Sequence, residues 1–204
     1  MSRYRGPITR ISRRLGLILF TNGESKTKAY NRKRYKPGEH GQKHFTQLSE
    51  YNKQLQEKQK ARNMYGISER QSRKYYEIAT KSNEMTGEKY MKLLEQRLDN
   101  VIFRAGIAST RAQARQMVSH GLMLLNNKKA KVPSIQVKIG DIFEVRNKRK
   151  DSKLFENAKK DKVKPPKWIK GDLSSLKGEV VALPDKDDIE QAVESQLITE
   201  FYSK

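Results

Sequence analysis

Arg111, Arg115 and Ser119 recur at four-residue spacing, so a helix through them would carry two guanidiniums and a hydroxyl along one face. Guanidinium forks grip phosphate oxygens in charge-assisted hydrogen bonds, and His120 adjoins them. The chemistry these residues offer is recognition of an anion. A second group of cations precedes them: Arg3, Arg5, Arg10, Arg13 and Arg14, with Tyr4 among them, then Arg32, Lys33 and Arg34. Pro37-Gly38 and Gly41 around His40 predict a tight turn, and a phosphate-binding turn and a plain loop fit that pattern equally. Lys58, Lys60 and Arg62, then Arg70, Arg73 and Lys74, offer further phosphate contacts. No catalytic residue is expected.

The elements that must hold these groups are legible from periodicity. Tyr90, Leu93, Leu94, Leu98, Val101, Ile102 and Ala105 recur at three- and four-residue spacing, predicting one helix with a single apolar stripe that stops at Gly106. Thr110 with Gln113 is a capping-box pattern that opens a second helix, closed by Gly121. Leu122 to Leu125 reads as a strand, Asn126-Asn127 as a turn tolerant of positive φ, and Lys131 to Val137 as the returning segment. Ile139 to Val145 adds a turn and a strand with alternating burial. Upstream, Thr46 to Tyr65 predicts a helix with a narrow buried stripe of Leu48, Tyr51 and Leu55, ended by Gly66. Ser68 with Gln71 caps the next one, where Tyr75 and Tyr76 either pack internally, the favoured reading, or stack on bases. The first fifty residues show little apolar period and read as an extended basic arm. Pro165-Pro166 and the lysines before Trp168 read as a connector, and Gly178 to Leu183 as a strand broken by Pro184. Asp185, Asp187, Asp188 and Glu190 crowd an expected helix N-terminus, a place that favours negative charge.

Charge selects the partner. The 204 residues carry 44 Lys+Arg against 23 Asp+Glu, a net +21, and self-repulsion of that size calls for a polyanion. By segment the net charge is +9 over residues 1–50, +4 over 51–90, +9 over 91–150 and −1 over the remainder. No stretch approaches the roughly 20 apolar residues of a spanning helix, so nucleic acid is favoured over a membrane. Charge alone leaves RNA and DNA open, although cations spread over most of the chain disfavour a DNA regulator with one recognition helix. A hydrophobic content of 35% is low for a large independent core, so much of the chain is expected to order on its partner. Absence of cysteine removes disulfides, thiol catalysis and most structural zinc designs, and His40 with His44 falls short of four ligands. Neither metal nor cofactor is expected. Met1 runs directly into SRYRGP, so no export or transit peptide is expected.

Taken in order, MSRYRGP at the start, PGEHG at 37–41, QLQEKQKARNMYGISERQ from Gln54, RLDNV at Arg97, TRAQARQMVSH at Thr110 and EFYSK at Glu200 resemble the S-four family of small-subunit ribosomal proteins, bacterial or organellar type. Two departures stand out. Many relatives hold zinc through cysteines in the arm, which makes this a zinc-free variant, and the turn usually written Asn-Gly is here Asn126-Asn127. The resemblance implies an α+β fold in which a mostly helical basic domain carries an inserted S-four-type RNA-binding module, two helices on a small, mainly antiparallel sheet. Implied boundaries are an arm over 1–45, helices over 46–90, the module over 91–155, a connector over 156–177 and a tail over 178–204 that returns to the first domain. The implied function is direct binding of small-subunit ribosomal RNA early in assembly, with support for translational accuracy. Implied partners are that RNA, neighbouring proteins including the fifth of the small subunit, and messenger RNA near its entry path, with no DNA and no membrane. The expected location is the cytoplasmic ribosome, with an organellar stroma or matrix left open. The alternative is an RNA-modifying enzyme, since Arg97-Leu98-Asp99 matches the short signature around the catalytic aspartate of pseudouridine synthases. Helical phase disfavours it, because Leu98 and Val101 continue the apolar stripe and leave Asp99 a polar or capping group with Arg97 or Arg104 as ion partner.

Overall fold

A computed structural model describes residues 4, 6–19, 24–42, 47–150, 152–156 and 164–204. The chain divides into two compact units, one of Met1–Gly87 with Gln191–Lys204 and one of Glu88–Glu190. Among the described residues no helix is long and apolar enough to cross a membrane.

In the first unit the segment expected as an extended arm contains two helices, α1 (Ile8–Leu15) and α2 (Glu24–Arg32). Ile8, Ile11, Ser12 and Leu15 follow helical spacing, and Arg10, Arg13 and Arg14 between them obscure it; Ser12 and Leu15 are buried. Downstream, the Pro37 turn closes with the Gly41 N–H donating to the Gly38 carbonyl at 3.2 Å. A Cβ on Gly41 would lie 1.9 Å from the Lys36 carbonyl oxygen, so no larger residue fits this turn.

Helix α3 (Glu50–Met64) begins at Ser49, whose hydroxyl accepts from the Asn52 N–H, and α4 (Glu69–Thr80) begins likewise at Ser68 and Gln71. The stripe expected on α3 is displaced. Tyr51 is 55% exposed and Leu48 and Leu55 are half-buried, while Gln54, Glu57, Lys58, Ala61 and Met64 form the buried face. The cause is non-local: helix α8 (Ser195–Tyr202) lies against α3 and brings polar partners to that face. Gln54 donates to Glu200 at 2.9 Å and accepts from Lys204 at 2.8 Å, and Glu57 accepts from the Glu194 N–H at 3.2 Å. Tyr75 is buried and Tyr76 stacks on Tyr202 with ring centroids 4.8 Å apart, so both tyrosines pack internally.

From Glu88 the second unit takes in most of α5 (Thr86–Glu95) and then α6 (Leu98–Arg104), which replace the single helix expected from Tyr90 to Ala105. Arg97 between them is extended, with φ −66° and ψ 136°. A distant segment captures the backbone there: the Val137 N–H donates to the Gln96 carbonyl, the Leu98 N–H to Ile135 and the Asp99 N–H to Pro133. The apolar stripe survives because Leu94 to Leu98 is still a four-residue step, and both are fully buried. Residues 131–137 therefore serve this break, and the returning strand is the preceding Lys128–Ala130.

After α7 (Arg111–Ser119) a five-stranded antiparallel sheet forms from β1 (Met123–Leu125), β2 (Lys128–Ala130), β3 (Ile142–Val145), β4 (Ile169–Asp172) and β5 (Lys177–Val180), in the order β2-β1-β3-β5-β4. Asn126 and Asn127 take φ of 49° and 63°, the mirror-image turn that a two-residue hairpin needs. The Asn126 carboxamide also accepts from the Ile142 N–H at 2.9 Å and donates to Asp141 at 2.8 Å, which ties the turn to β3. Opposite Phe143 stands Gly178, where a Cβ would come within 2.5 Å of the ring. Phe143 joins Leu98, Ile102, Met117, Val118, Met123, Val145, Trp168 and Val180 in one buried cluster.

Part of the expected connector is thus core: Trp168 is buried and β4 follows it, while residues 157–163 lie outside the described set. The acidic cluster forms a single 3-10 turn, Lys186–Asp188, capped reciprocally by Asp185 and Asp188, in place of an α-helical start.

Candidate nucleic-acid interface

Helix α7 is positioned by its cap: the Thr110 hydroxyl accepts from the Gln113 N–H at 3.1 Å, and the Gln113 side chain accepts from the Ser109 N–H at 2.9 Å. Ala114, Met117 and Val118 fasten the helix to the core. Its polar face is graded in depth. Ser119 and His120 are exposed, the Ser119 hydroxyl donating back to the Arg115 carbonyl at 2.8 Å. Arg111 is half-buried, whereas Arg115 is buried with its Nη1 3.9 Å from Asp99.

Two ionic clusters underlie this face. In the first, Asp99 receives Arg97 in a two-pronged contact, Nε at 3.0 Å and Nη2 at 2.6 Å, and it also accepts the Asn100 N–H at 3.0 Å. Arg97 is fully buried, so this carboxylate compensates one guanidinium inside the protein and a second at its margin. In the second, fully buried Glu95 accepts from Arg104 Nε at 3.0 Å, Arg104 Nη2 at 2.7 Å and Asn100 Nδ2 at 2.6 Å. The other end of Asn100 accepts from Arg111 Nε at 2.8 Å, and the Arg111 guanidinium lies 4.6 Å from the centre of the Phe103 ring. Glu190 completes this cluster with one oxygen, 3.1 Å from Arg104 Nη2 and 3.0 Å from Arg111 Nη2. The clusters aim Arg104 and Arg111 while compensating Arg97 and Arg115. The Asp99 side chain is held among arginines on a helix packed into the core, a setting that fits structural compensation.

In the first unit the candidate cations divide by what holds them. Arg10, Arg14, Arg32, Lys33, Arg70, Arg73 and His40 are exposed, as is Tyr4, and Arg73 lies 3.5 Å from Glu77. Arg13 is half-buried, donating from Nε to the Tyr35 carbonyl at 2.9 Å with its guanidinium over the Tyr35 ring, so it organises the turn region. Lys58 is buried, 2.9 Å from Glu69 and 4.2 Å from the Phe201 ring centre. Lys60 pairs with Glu57 and Arg62 approaches Glu69 at 3.7 Å. Arg3 and Arg5 lie outside the described residues.

Lys128, Lys129 and Lys131, which the hairpin exposes, and the anion-binding geometry of Arg104 were not among the residues expected from sequence. The lysines had a signal, three cations flanking a two-residue turn. For Arg104 the sequence offers only an ion pair with Asp99, and its contact with Glu190, 86 residues away, leaves no local signal.

The chain has no cysteine and three histidines, and among the described residues no three His, Asp or Glu side chains group to hold a metal.

Residues 3–95 match the Ribosomal protein S4/S9 N-terminal domain and residues 96–143 match the S4 domain, so the class is that of ribosomal proteins carrying an S4 domain. The chain is 44% identical to small ribosomal subunit protein uS4 of Heliobacterium modesticaldum over 209 aligned residues, 46% to that of Acetivibrio thermocellus over 209 and 43% to that of Pediococcus pentosaceus over 205, each covering all of both chains. The chain belongs to the uS4 family of ribosomal proteins, bacterial type.

Proposed function

We propose that this chain is a structural constituent of the small ribosomal subunit that binds small-subunit ribosomal RNA directly, helps nucleate assembly and supports accurate translation in the bacterial cytoplasm. The observation that carries the reading is the end-to-end correspondence with proteins named small ribosomal subunit protein uS4. Physical chemistry supports it. A net +21 is neutralised when phosphates replace counterions, and exposed cations on both units supply those contacts. Fixed groups on a rigid face, Arg111 with Ser119 and His120, would read the shape of a folded RNA junction, because shape distinguishes RNA sites that side chains cannot read by sequence. Neighbouring small-subunit proteins, the fifth among them, and messenger RNA near its entry path complete the proposed partners. The role is binding without turnover. Sedimentation of a cell extract tests it: the protein is expected to remain with small subunits through a high-salt wash, and recovery of free protein at the top of the gradient sinks the proposal.

A sharper expectation concerns the exposed face of α4. Changing Arg70, Arg73 and Lys74 together to Ala should flatten the dependence of log affinity on log salt by roughly 0.7 to 0.9 for each phosphate no longer neutralised. An unchanged slope in a filter-binding titration removes α4 from the interface.

A further inference from the structure

We propose that Glu190 is an intramolecular stand-in for an RNA phosphate, seated on a two-arginine anion site and exchanged for a backbone phosphodiester when RNA binds. This rests on the proposed function and names the binding step at one of its sites. Arg104 and Arg111 place Nη2 atoms 3.1 and 3.0 Å from the same Glu190 oxygen. Two cations converging on one point require an anion there. The pair is held from beneath by groups other than Glu190: Glu95 fixes Arg104 through two hydrogen bonds, while Asn100 and the Phe103 ring fix Arg111. The site is therefore built in advance, and Glu190 closes it from outside. Its side chain is 29% exposed against 23% for Arg104 and 14% for Arg111, so the face that it covers is reachable from solvent.

Charge makes the exchange balanced. Glu95, Glu190, Arg104 and Arg111 sum to zero, and a phosphodiester carries the same single negative charge as the carboxylate that it would replace. The segment leading to Glu190 is largely solvent-facing: Val181, Ala182, Leu183, Asp185, Lys186 and Asp187 are exposed, while buried Pro184 and the Lys186–Glu88 pair at 2.9 Å anchor it short of Glu190. A carboxylate on such a segment leaves the arginines at small cost, and partly exposed ion pairs are weak enough to be displaced. In the free protein Glu190 spares the two guanidiniums from repelling each other; on RNA the phosphate takes that task.

The test compares Glu190→Gln with the parent chain in filter binding to a small-subunit ribosomal RNA junction. Removing the competing charge should tighten binding about two- to fivefold, the upper span of one weak ion pair. In an Arg111→Ala background the same change should have no effect. Unchanged or weaker binding by Glu190→Gln overturns the proposal, because it would mean that Glu190 only props the arginines. Amide exchange of residues 186–190 in the parent chain gives a second readout, expected to quicken on RNA binding, and unchanged protection also overturns the exchange. Failure of the parent to prefer the junction over a plain duplex would count against the proposed function alone. The Glu190→Gln comparison can then be made with inorganic polyphosphate, where equal affinities reject the anion site itself.

Discussion

Asp99→Asn is expected to lower the conformational stability of the chain by about 3 to 5 kcal/mol, the usual consequence of removing one partner of a buried ion pair. The carboxylate touches the Arg97 guanidinium at two atoms, lies 3.9 Å from Arg115 and accepts the Asn100 N–H. Asn matches its shape, yet it can neutralise neither arginine and must turn an NH2 group toward one of them. Arg97 cannot escape to water: it is fully buried and its backbone bridges to Gln136. Denaturant unfolding followed by the fluorescence of Trp168, the only tryptophan and part of the same unit's buried cluster, measures the loss. A midpoint within error of the parent would show that the ion pair contributes nothing. RNA incubated with either protein should show no Asp99-dependent pseudouridine, and its detection would revive the enzyme alternative.

Asp99 also illustrates what a sequence makes legible. Apolar spacing leaves Asp99 a polar position with Arg97 or Arg104 as partner; Arg97 is found there, with Arg115 3.9 Å away. Local chemistry is legible wherever it is self-contained: the caps at Ser68 and Thr110, and the turn at Asn126-Asn127, need only residues within a few positions. The break at Arg97 is not, since nothing in residues 90–105 announces that residues 133–137 will capture their backbone. Nor is the buried face of α3, whose polar composition makes sense only once α8 and the residues after it supply Glu200 and Lys204. The candidate interface suffers in the same way. Charge and spacing identify Arg111, Arg115 and Lys58 as cations, but whether a cation faces phosphate or a carboxylate of its own chain depends on long-range folding. Arg115 and Lys58 go inward for that reason, while Arg70 and Arg73 stay exposed, Arg73 3.5 Å from Glu77 on its own helix.

Lys58 leads to the second large effect, which lies at the C-terminus. Tyr202 donates to Glu69 at 3.0 Å, shares a hydrogen bond of 2.9 Å with buried Ser72, and stacks on Tyr76. Its ring lies 5.7 Å from the Lys58 ammonium, and Phe201 covers the same charge at 4.2 Å. Tyr202→Ala removes a large aromatic and leaves Ser72 and Glu69 each short of a partner. The expected loss is about 3 kcal/mol, at the lower end for truncating a large aromatic because Tyr202 is only half-buried. Tyr202→Phe keeps the ring and should cost about 1 kcal/mol, the net value of an ordinary hydrogen bond. Calorimetric unfolding of the full chain, with near-ultraviolet circular dichroism to follow the tyrosines, separates the two variants. Equal losses would assign the hold to the hydroxyl alone, and no loss in either would mean that α8 is kept on α3 by Gln54 and Glu57 without its last aromatic residues. The physical expectation is an unequal pair. An ammonium buried between a carboxylate and two rings needs all of them, and removal of one ring admits water to Lys58 before it frees the helix.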